Sequence, residues 1–227
     1  YKFVRFLLLN AIYSGKIITL NPSDYQFLKN FFNGKKKVDV LLMKGEGFDL
    51  KSLKGSIPTK PSKKYDFCFV SRLIKDKGIE DFVDCLETLY LDKKMPSVVI
   101  CGDFDQNDQQ FKSRIKEKIG KLRNIEFVGF VDNPQKYINA SKYLVLPSVY
   151  PEGVPRVLME ASALGVPALV YENVGSNIVI SNNVNGWSIS PNVKELLFVM
   201  KKSLLINKTD YNKMSKNAKK ISSKFSM

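Results

Sequence analysis

Apolar residues in this chain gather in short continuous runs, and longer mixed stretches of helical periodicity separate them. The runs Phe67-Cys68-Phe69-Val70, Val98-Val99-Ile100-Cys101, Ile125 to Val128, Tyr143 to Leu146 and Ala168 to Tyr171 read as strands, with Trp187-Ser188-Ile189 as a sixth. Strands that lack polar alternation are covered on both faces, which is the condition of a parallel sheet. Between them the pattern predicts helices over Ile79 to Tyr90, about 107–121, Pro134 to Ala140 and Pro155 to Leu164. Regular alternation of strand and helix defines an α/β protein with a Rossmann-like, doubly wound parallel sheet. Such sheets bind ligands at the carboxyl ends of their strands.

Upstream, residues 1–14 read as a helix, Lys16 to Leu20 as a strand and about 23–33 as a second helix capped by Asn21-Pro22-Ser23-Asp24. Val38 to Met43 is a further strand, followed by Gly45-Glu46-Gly47. This strand–helix–strand order is expected of the last unit of another α/β domain, whose earlier part lies outside the sequence. Residues 51–64 hold Gly55, Pro58, Pro61 and five lysines with little apolar content, a linker composition. The expected division is therefore 1–50 for the end of that first domain, 51–64 for the linker, 65–208 for the sheet domain and 209–227 for a basic helix.

Charge adds a constraint on partners. The formal net charge is +14, which attracts nucleic acid, anionic membrane or phosphorylated ligands without choosing among them. From Lys194 onward nine lysines face only Glu195 and Asp210. That concentration fits either a solvated lysine-rich helix or a basic face held against an acidic membrane. The stretch Phe6 to Ile12 is too short to span a bilayer. Cys68 and Cys101 sit in apolar runs and read as small buried hydrophobes of a reducing compartment, and the three cysteines have no zinc spacing. The absence of histidine removes imidazole metal sites and Ser/His or Cys/His nucleophiles from this chain.

The candidate chemistry lies where predicted strands end. After Leu146-Pro147 comes Ser148-Val149-Tyr150-Pro151-Glu152-Gly153-Val154-Pro155. Pro155 suits the first helical position, and the next amides, on Arg156 and Val157, then point out of a helix N-terminus as a phosphate site requires. At ~100° per residue Arg156 and Glu160 share one side of that helix. Glu160 can therefore serve as an i,i+4 ion-pair partner or accept bonds from vicinal hydroxyls such as those of a ribose. Gly165 and Pro167 end the helix. A second constellation, Ser71-Arg72-Leu73-Ile74-Lys75-Asp76-Lys77-Gly78, puts two cations at a strand-to-helix junction, an arrangement suited to pyrophosphate. A third, Val128-Gly129-Phe130-Val131-Asp132-Asn133-Pro134, allows close backbone approach at Gly129, with Phe130 or Tyr137 available to border a planar base. Gly102-Asp103 carries less.

Together these residues resemble glycosyltransferase family 4, retaining enzymes of the two-domain GT-B fold. The resemblance covers Ser71-Arg72-Leu73 with Lys77-Gly78, Gly129-Phe130-Val131, Leu146-Pro147-Ser148, Glu152 to Ala161 and Gly165-Val166-Pro167. Glu152 and Glu160 stand eight apart, as in the family's E-x7-E pattern. The resemblance implies that residues 65–190 form the nucleotide-sugar donor domain, with residues 16–50 ending the acceptor domain. It implies that Arg72 and Lys77 hold the donor pyrophosphate and that Glu152 bonds the transferred sugar. Gly153, Val154 and the amides of Arg156 and Val157 would line the phosphate, Glu160 the ribose, and Gly129-Phe130 the base. A nucleotide sugar, a UDP-sugar for preference, is the implied co-substrate, with no cofactor or metal. A glycan or lipid-linked acceptor would take the sugar in surface polysaccharide synthesis. The implied setting is the cytoplasm at the inner membrane face, with no nucleic-acid partner. The final segment, about 209–225, would return to the first domain. Pro155 departs from the family, where many members carry a small residue with a free N–H. A sugar-nucleotide epimerase of similar fold is the alternative enzyme, disfavoured by the missing histidine. A non-catalytic nucleic-acid-binding domain is the alternative class, disfavoured by poor aromatic interleaving among the basic runs.

Overall fold

A computed structural model describes residues 12, 14–19, 22–33, 37–43, 63–150 and 153–225. The first unit is β1 (Ser14–Thr19), α1 (Pro22–Phe32) and β2 (Lys37–Leu42), with β1 and β2 paired in parallel. Parallel pairing needs a crossover, and α1 supplies it. The strand begins at Ser14, inside the stretch expected to be helical; the rest of 1–13 lies outside the described residues apart from Ile12. Most of the linker, 51–62, lies outside them as well.

The second unit runs β3 (Tyr65–Val70), α2 (Ile79–Leu91), β4 (Val98–Cys101), α3 (Gln109–Lys121), β5 (Ile125–Gly129), α4 (Gln135–Asn139) and β6 (Ser141–Leu146). It continues through α5 (Arg156–Leu164), β7 (Ala168–Tyr171), α6 (Ser176–Val179), β8 (Gly186–Ile189), α7 (Val193–Leu205) and α8 (Lys208–Ser222). The six strands lie in the order β5-β4-β3-β6-β7-β8, all parallel.

Side chains from successive strand positions enter two separate cores. Phe67, Phe69, Val98, Ile100, Tyr143, Val145, Leu169 and Tyr171 join one core with α2 and α7. Cys68, Val99, Cys101, Leu144, Leu146, Ala168 and Val170 join the other with α5. This two-sided burial is the reason the strands read as continuous apolar runs. It also accounts for Cys68 and Cys101, buried and free as expected, and Cys85 is buried with them. Burial pushes all three thiols up to about 12, so none is a thiolate nucleophile at neutral pH.

The chain moves outward from β3 to β4 to β5, then returns through α4 to lay β6 on the other side of β3. The winding direction reverses there. The helices that follow β3 and β6, α2 and α5, pack on opposite faces of the sheet, the arrangement in which a crevice forms at the carboxyl ends of the strands.

The carboxyl-terminal basic segment is helical. It is two helices, broken at Ile206-Asn207, where the Asn207 side chain caps α8 by accepting from the Asp210 amide at 2.9 Å. α8 lies along α5 and buries Met214, Ala218 and Ser222, while its lysines are exposed to solvent. Met214 belongs to the first core, whereas Ile221 and Phe225 pack on the second. The Ser215 hydroxyl donates to the Gly165 carbonyl at 2.6 Å, tying α8 to the end of α5.

Candidate functional site

Turns of the backbone bring the β3 and β6 loops into contact. After β3 the chain makes a 3-10 turn at Lys75–Lys77, and Gly78 follows with φ 75°. A Cβ on Gly78 would stand 2.0 Å from the Pro147 carbonyl oxygen, so the helix α2 can start here only with glycine. The Asp76 carbonyl accepts from the Val149 amide at 3.0 Å, the Tyr150 amide at 3.1 Å and the Ser148 hydroxyl at 3.3 Å. One carbonyl thus fastens the β6 loop to the β3 turn. From the far side Asn173 donates to the Ser148 carbonyl at 3.1 Å while its own side-chain oxygen accepts from the Ser176 amide at 2.8 Å.

Lys77 is buried at this junction, 7% exposed, with its ammonium 4.7 Å from the Tyr150 ring centroid. Arg72, at the end of β3, is exposed and makes no hydrogen bond or ion pair among the described residues. The two cations that the sequence singled out are therefore in different states, Lys77 buried and Arg72 exposed.

At the start of α5 the structure corrects the position of Pro155. It is the residue before the helix, extended at φ −63° and ψ 121°, and Arg156 is the first helical residue. The Leu158 amide closes back onto the Pro155 carbonyl at 3.0 Å. The amides of Arg156 and Val157 take no partner among the described residues, so the anion-binding end survives the shift by one position. Val154 is buried in the second core, which leaves only its backbone for a ligand, and the Val157 side chain packs on the same core. Gly153 is partly exposed just ahead of them, whereas Glu152 lies outside the described residues.

Glu160 is buried, with 6% of its side chain exposed, and accepts from the Arg156 guanidinium at 2.9 Å. The ion pair left open by the sequence is formed. Its partner is 68% exposed, so the pair contributes little to stability. An Arg156 side chain so exposed is also free to swing aside for a ligand. At the other end of α5 Gly165, at φ 71°, closes the helix with the Val166 amide donating to Ala161 at 2.8 Å.

Beyond β3, the ends of β4 and β5 enclose a pocket of about 380 Å³ lined by Arg72, Ile74, Asp103, Phe104, Phe130 and Pro134, among others. Gly102 forms its floor: a Cβ there would meet the Ser71 carbonyl oxygen at 1.8 Å. The Gly102 amide donates to Gly129 at 2.7 Å and the Leu73 amide to Asp103 at 2.8 Å. Gly129 has room for a Cβ, but its φ of 69° favours glycine. Phe130 is 69% exposed on the pocket wall. Tyr137, the other aromatic considered for a base, instead packs on the second core beneath Lys136. The sequence reading missed Phe104 and Asn173. For Phe104 a hint existed in Gly102-Asp103-Phe104-Asp105, a turn directly after a strand. Nothing local pointed to Asn173.

Cations at a strand-to-helix turn, a helix N-terminus with unpaired amides and an aromatic-edged pocket all meet where the sheet reverses, and comparison with known proteins agrees with that layout. Residues 53–221 match the family described as glycosyl transferases group 1, and the chain belongs to that family. Among individual relatives, it is 28% identical over 196 residues to an uncharacterized glycosyltransferase of Methanocaldococcus jannaschii, covering 81% of this chain and 49% of the relative. It is 25% identical over 220 residues to the UDP-Gal:alpha-D-GlcNAc-diphosphoundecaprenol alpha-1,3-galactosyltransferase of Escherichia coli, covering 90% and 54%. The poly(glycerol-phosphate) alpha-glucosyltransferase of Bacillus subtilis is 27% identical over 180 residues, covering 78% and 26%. The chain thus spans about half the length, or less, of these relatives. Anabaena HepE, crystallised in complex with UDP-glucose, superposes with a TM-score of 0.80 at 20% identity, covering 99% of this chain and 63% of HepE. That likeness establishes the fold: the six-stranded sheet is the carboxyl-terminal, Rossmann-like half of a GT-B architecture.

Proposed function

We propose that this chain is the donor-binding half of a retaining glycosyltransferase of family 4, which moves a sugar from a UDP-sugar onto a glycan or lipid-linked acceptor. The observation that carries this reading is the crevice at the β3–β6 reversal. Lys77 and the α5 amides that are unpaired among the described residues stand on either side of it, next to a pocket lined by Arg72 with Phe130 on its wall. The E. coli relative, named for UDP-Gal and a diphosphoundecaprenol-linked substrate, supports the donor and acceptor classes.

In this reading Arg72 grips the pyrophosphate with its guanidinium fork while Lys77 supplies a compact charge. The Arg156 and Val157 amides add the positive end of the helix. Gly153 and the Val154 backbone border the phosphate, and Glu152 bonds hydroxyls of the sugar. Glu160 accepts from the ribose once Arg156 swings away, and Gly129-Phe130 flank the base. Breaking the bond between the sugar's anomeric carbon and the phosphate oxygen sends an electron pair to the nucleoside diphosphate. The cations and amides are preorganised for that growing charge and make a metal unnecessary. The acceptor oxygen attacks from the leaving-group face, and its proton passes to the departing phosphate oxygen. No histidine is called on, and the chain has none.

Titration with UDP, GDP, ADP and their sugars, followed by thermal unfolding, tests the assignment. UDP and UDP-sugars are expected to stabilise most, by about 2.7 kcal/mol at a hundredfold excess over Kd. A chain that no nucleotide stabilises is not a donor domain.

We further place the protein in the cytoplasm, resting on the inner face of the membrane through α7. Among the described residues no helix is long and apolar enough to cross a membrane. Phe198 and Leu205 stand 62% and 75% exposed on α7, on a surface shared with exposed Lys194 and Lys202. Apolar tips among lysines suit an anionic lipid surface better than nucleic acid. Co-sedimentation with phosphatidylglycerol vesicles should fall when both residues are changed to serine. Binding only to DNA would refute this placement.

A further inference from the structure

Resting on the donor-site reading, the geometry points to Phe104 as the fixed platform on which the nucleotide base stacks. Phe104 and Phe130 line the same pocket as Arg72, the cation assigned to the pyrophosphate. A nucleotide gripped at Arg72 brings its base within reach of both rings. An aromatic side chain offers any base a π-face, whatever hydrogen-bonding edge the base carries. What the ring contributes depends on whether it is already in place, because a side chain ordered by its ligand loses part of the gain in the ordering. The two phenylalanines differ in this respect.

Phe104 is held from two directions. Its backbone forms a parallel bridge with Leu73, and the Leu73 amide donates to the Asp103 carbonyl at 2.8 Å. Leu73 is fully buried in the first core, so the backbone that carries Phe104 is fixed to that core. The Phe104 ring meets the Phe111 ring at 6.5 Å and 67°, and the Phe127 ring at 6.0 Å and 53°. Phe111 is itself placed by the cap of α3, where the Asp108 carboxylate accepts from the Phe111 amide at 2.9 Å. Edge-on neighbours of this kind brace a ring, and Phe104 is left half-buried on the pocket wall. Phe130, by contrast, stands 69% exposed with no ring contact among the described residues. A flexible apolar side chain would serve the edge of the core as well as Phe104 does; only a flat ligand gains from a braced ring there.

Calorimetric binding of UDP and dihydro-UDP to the full 227-residue chain tests this. The dihydro base keeps the hydrogen-bonding edge of uracil but is puckered and no longer aromatic, so it loses stacking alone. The unaltered chain should prefer UDP about tenfold. Phe104→Leu should lower UDP affinity about tenfold and dihydro-UDP affinity little, narrowing that preference. Phe104→Tyr, which keeps the face, should hold it within about twofold. Phe130→Ala should narrow it less than Phe104→Leu does. A damaged fold lowers both affinities together, so the ratio reads stacking and not stability, and Phe104→Met provides a second ringless variant should Phe104→Leu fail to fold. Parallel losses for the two ligands, a preference lost equally in Phe104→Tyr, or a greater narrowing in Phe130→Ala would each overturn the proposal. An unaltered chain that binds UDP and dihydro-UDP equally overturns it too and leaves the donor-site reading standing. A chain that binds neither overturns that reading, and this inference with it.

Discussion

The two ends of the crevice are built on equally tight floors but carry their chemistry differently. At the β3–β6 end the floor is Gly78 against Pro147, and the cation above it, Lys77, is buried under a ring. At the β4–β5 end the floor is Gly102 against Ser71, but Arg72 and Phe130 above it are exposed to solvent around an open pocket. One end is assembled before any ligand arrives, and the other has side chains still free to close. The difference matches what each would have to do in the proposed reading: stabilise a charge that grows at a set point, or admit a flat base and close on the phosphates beside it.

The largest effects are expected from the two glycine floors. Gly78→Ala and Gly102→Ala each force a Cβ into a carbonyl oxygen at a positive φ. Each should lose about 3 kcal/mol or more in chemical denaturation, from strain and overpacking together. If either is tolerated, the interlock at that end is looser than described. Next is Lys77→Ala, which in the complete enzyme should lower kcat about 10²–10³-fold, the cost of removing one preorganised charge donor. Near-normal turnover would remove Lys77 from its role.

Arg72→Ala should be milder and of a different kind. An exposed, unpartnered arginine leaves the denaturation midpoint in place, while calorimetry should record UDP affinity falling about tenfold or more. Smallest is Phe130→Ala, expected to weaken UDP binding about tenfold or less through lost stacking. Its effect should be the same for UMP and UDP, and a loss restricted to UDP would put Phe130 at the phosphates instead. Of the five variants, the two glycine substitutions should lose stability at either end, while the three side-chain substitutions should sort by end: turnover at the β3–β6 side, affinity at the β4–β5 side.

Much of this was legible in the residues. Gly78, Gly129 and Gly165 sit at turns that need positive φ, and each was picked out as a strand-end or helix-end glycine. Arg72, Lys77, Gly129 and Phe130 were found because strand ends are marked by an apolar run giving way to glycine or charge. Pro155 was misplaced by one position because a helix boundary depends on where the first backbone bond closes, here from Leu158 to Pro155. Tyr137 stayed open beside Phe130 because an aromatic near a strand end can turn inward or outward. Five-residue α4 turns it onto the second core. Glu160 stayed ambiguous because a four-residue spacing permits its pair with Arg156 without requiring it.

By itself, the sequence determined the order and kind of the elements, because burial on two faces and helical periodicity are properties of neighbouring positions. It likewise determined that basic and glycine residues stand at the carboxyl ends of strands. Only the tertiary structure decided that β6 returns beside β3, so that residues 72 to 78 face residues 147 to 157 across one crevice. It alone decided that Lys77 lies against Tyr150 while Arg72 is left open, and that the apolar face of α8 packs on both cores. The reason is physical. A winding reversal and a ring over a cation join parts of the chain some seventy residues apart, and no local pattern encodes which distant partner will be met.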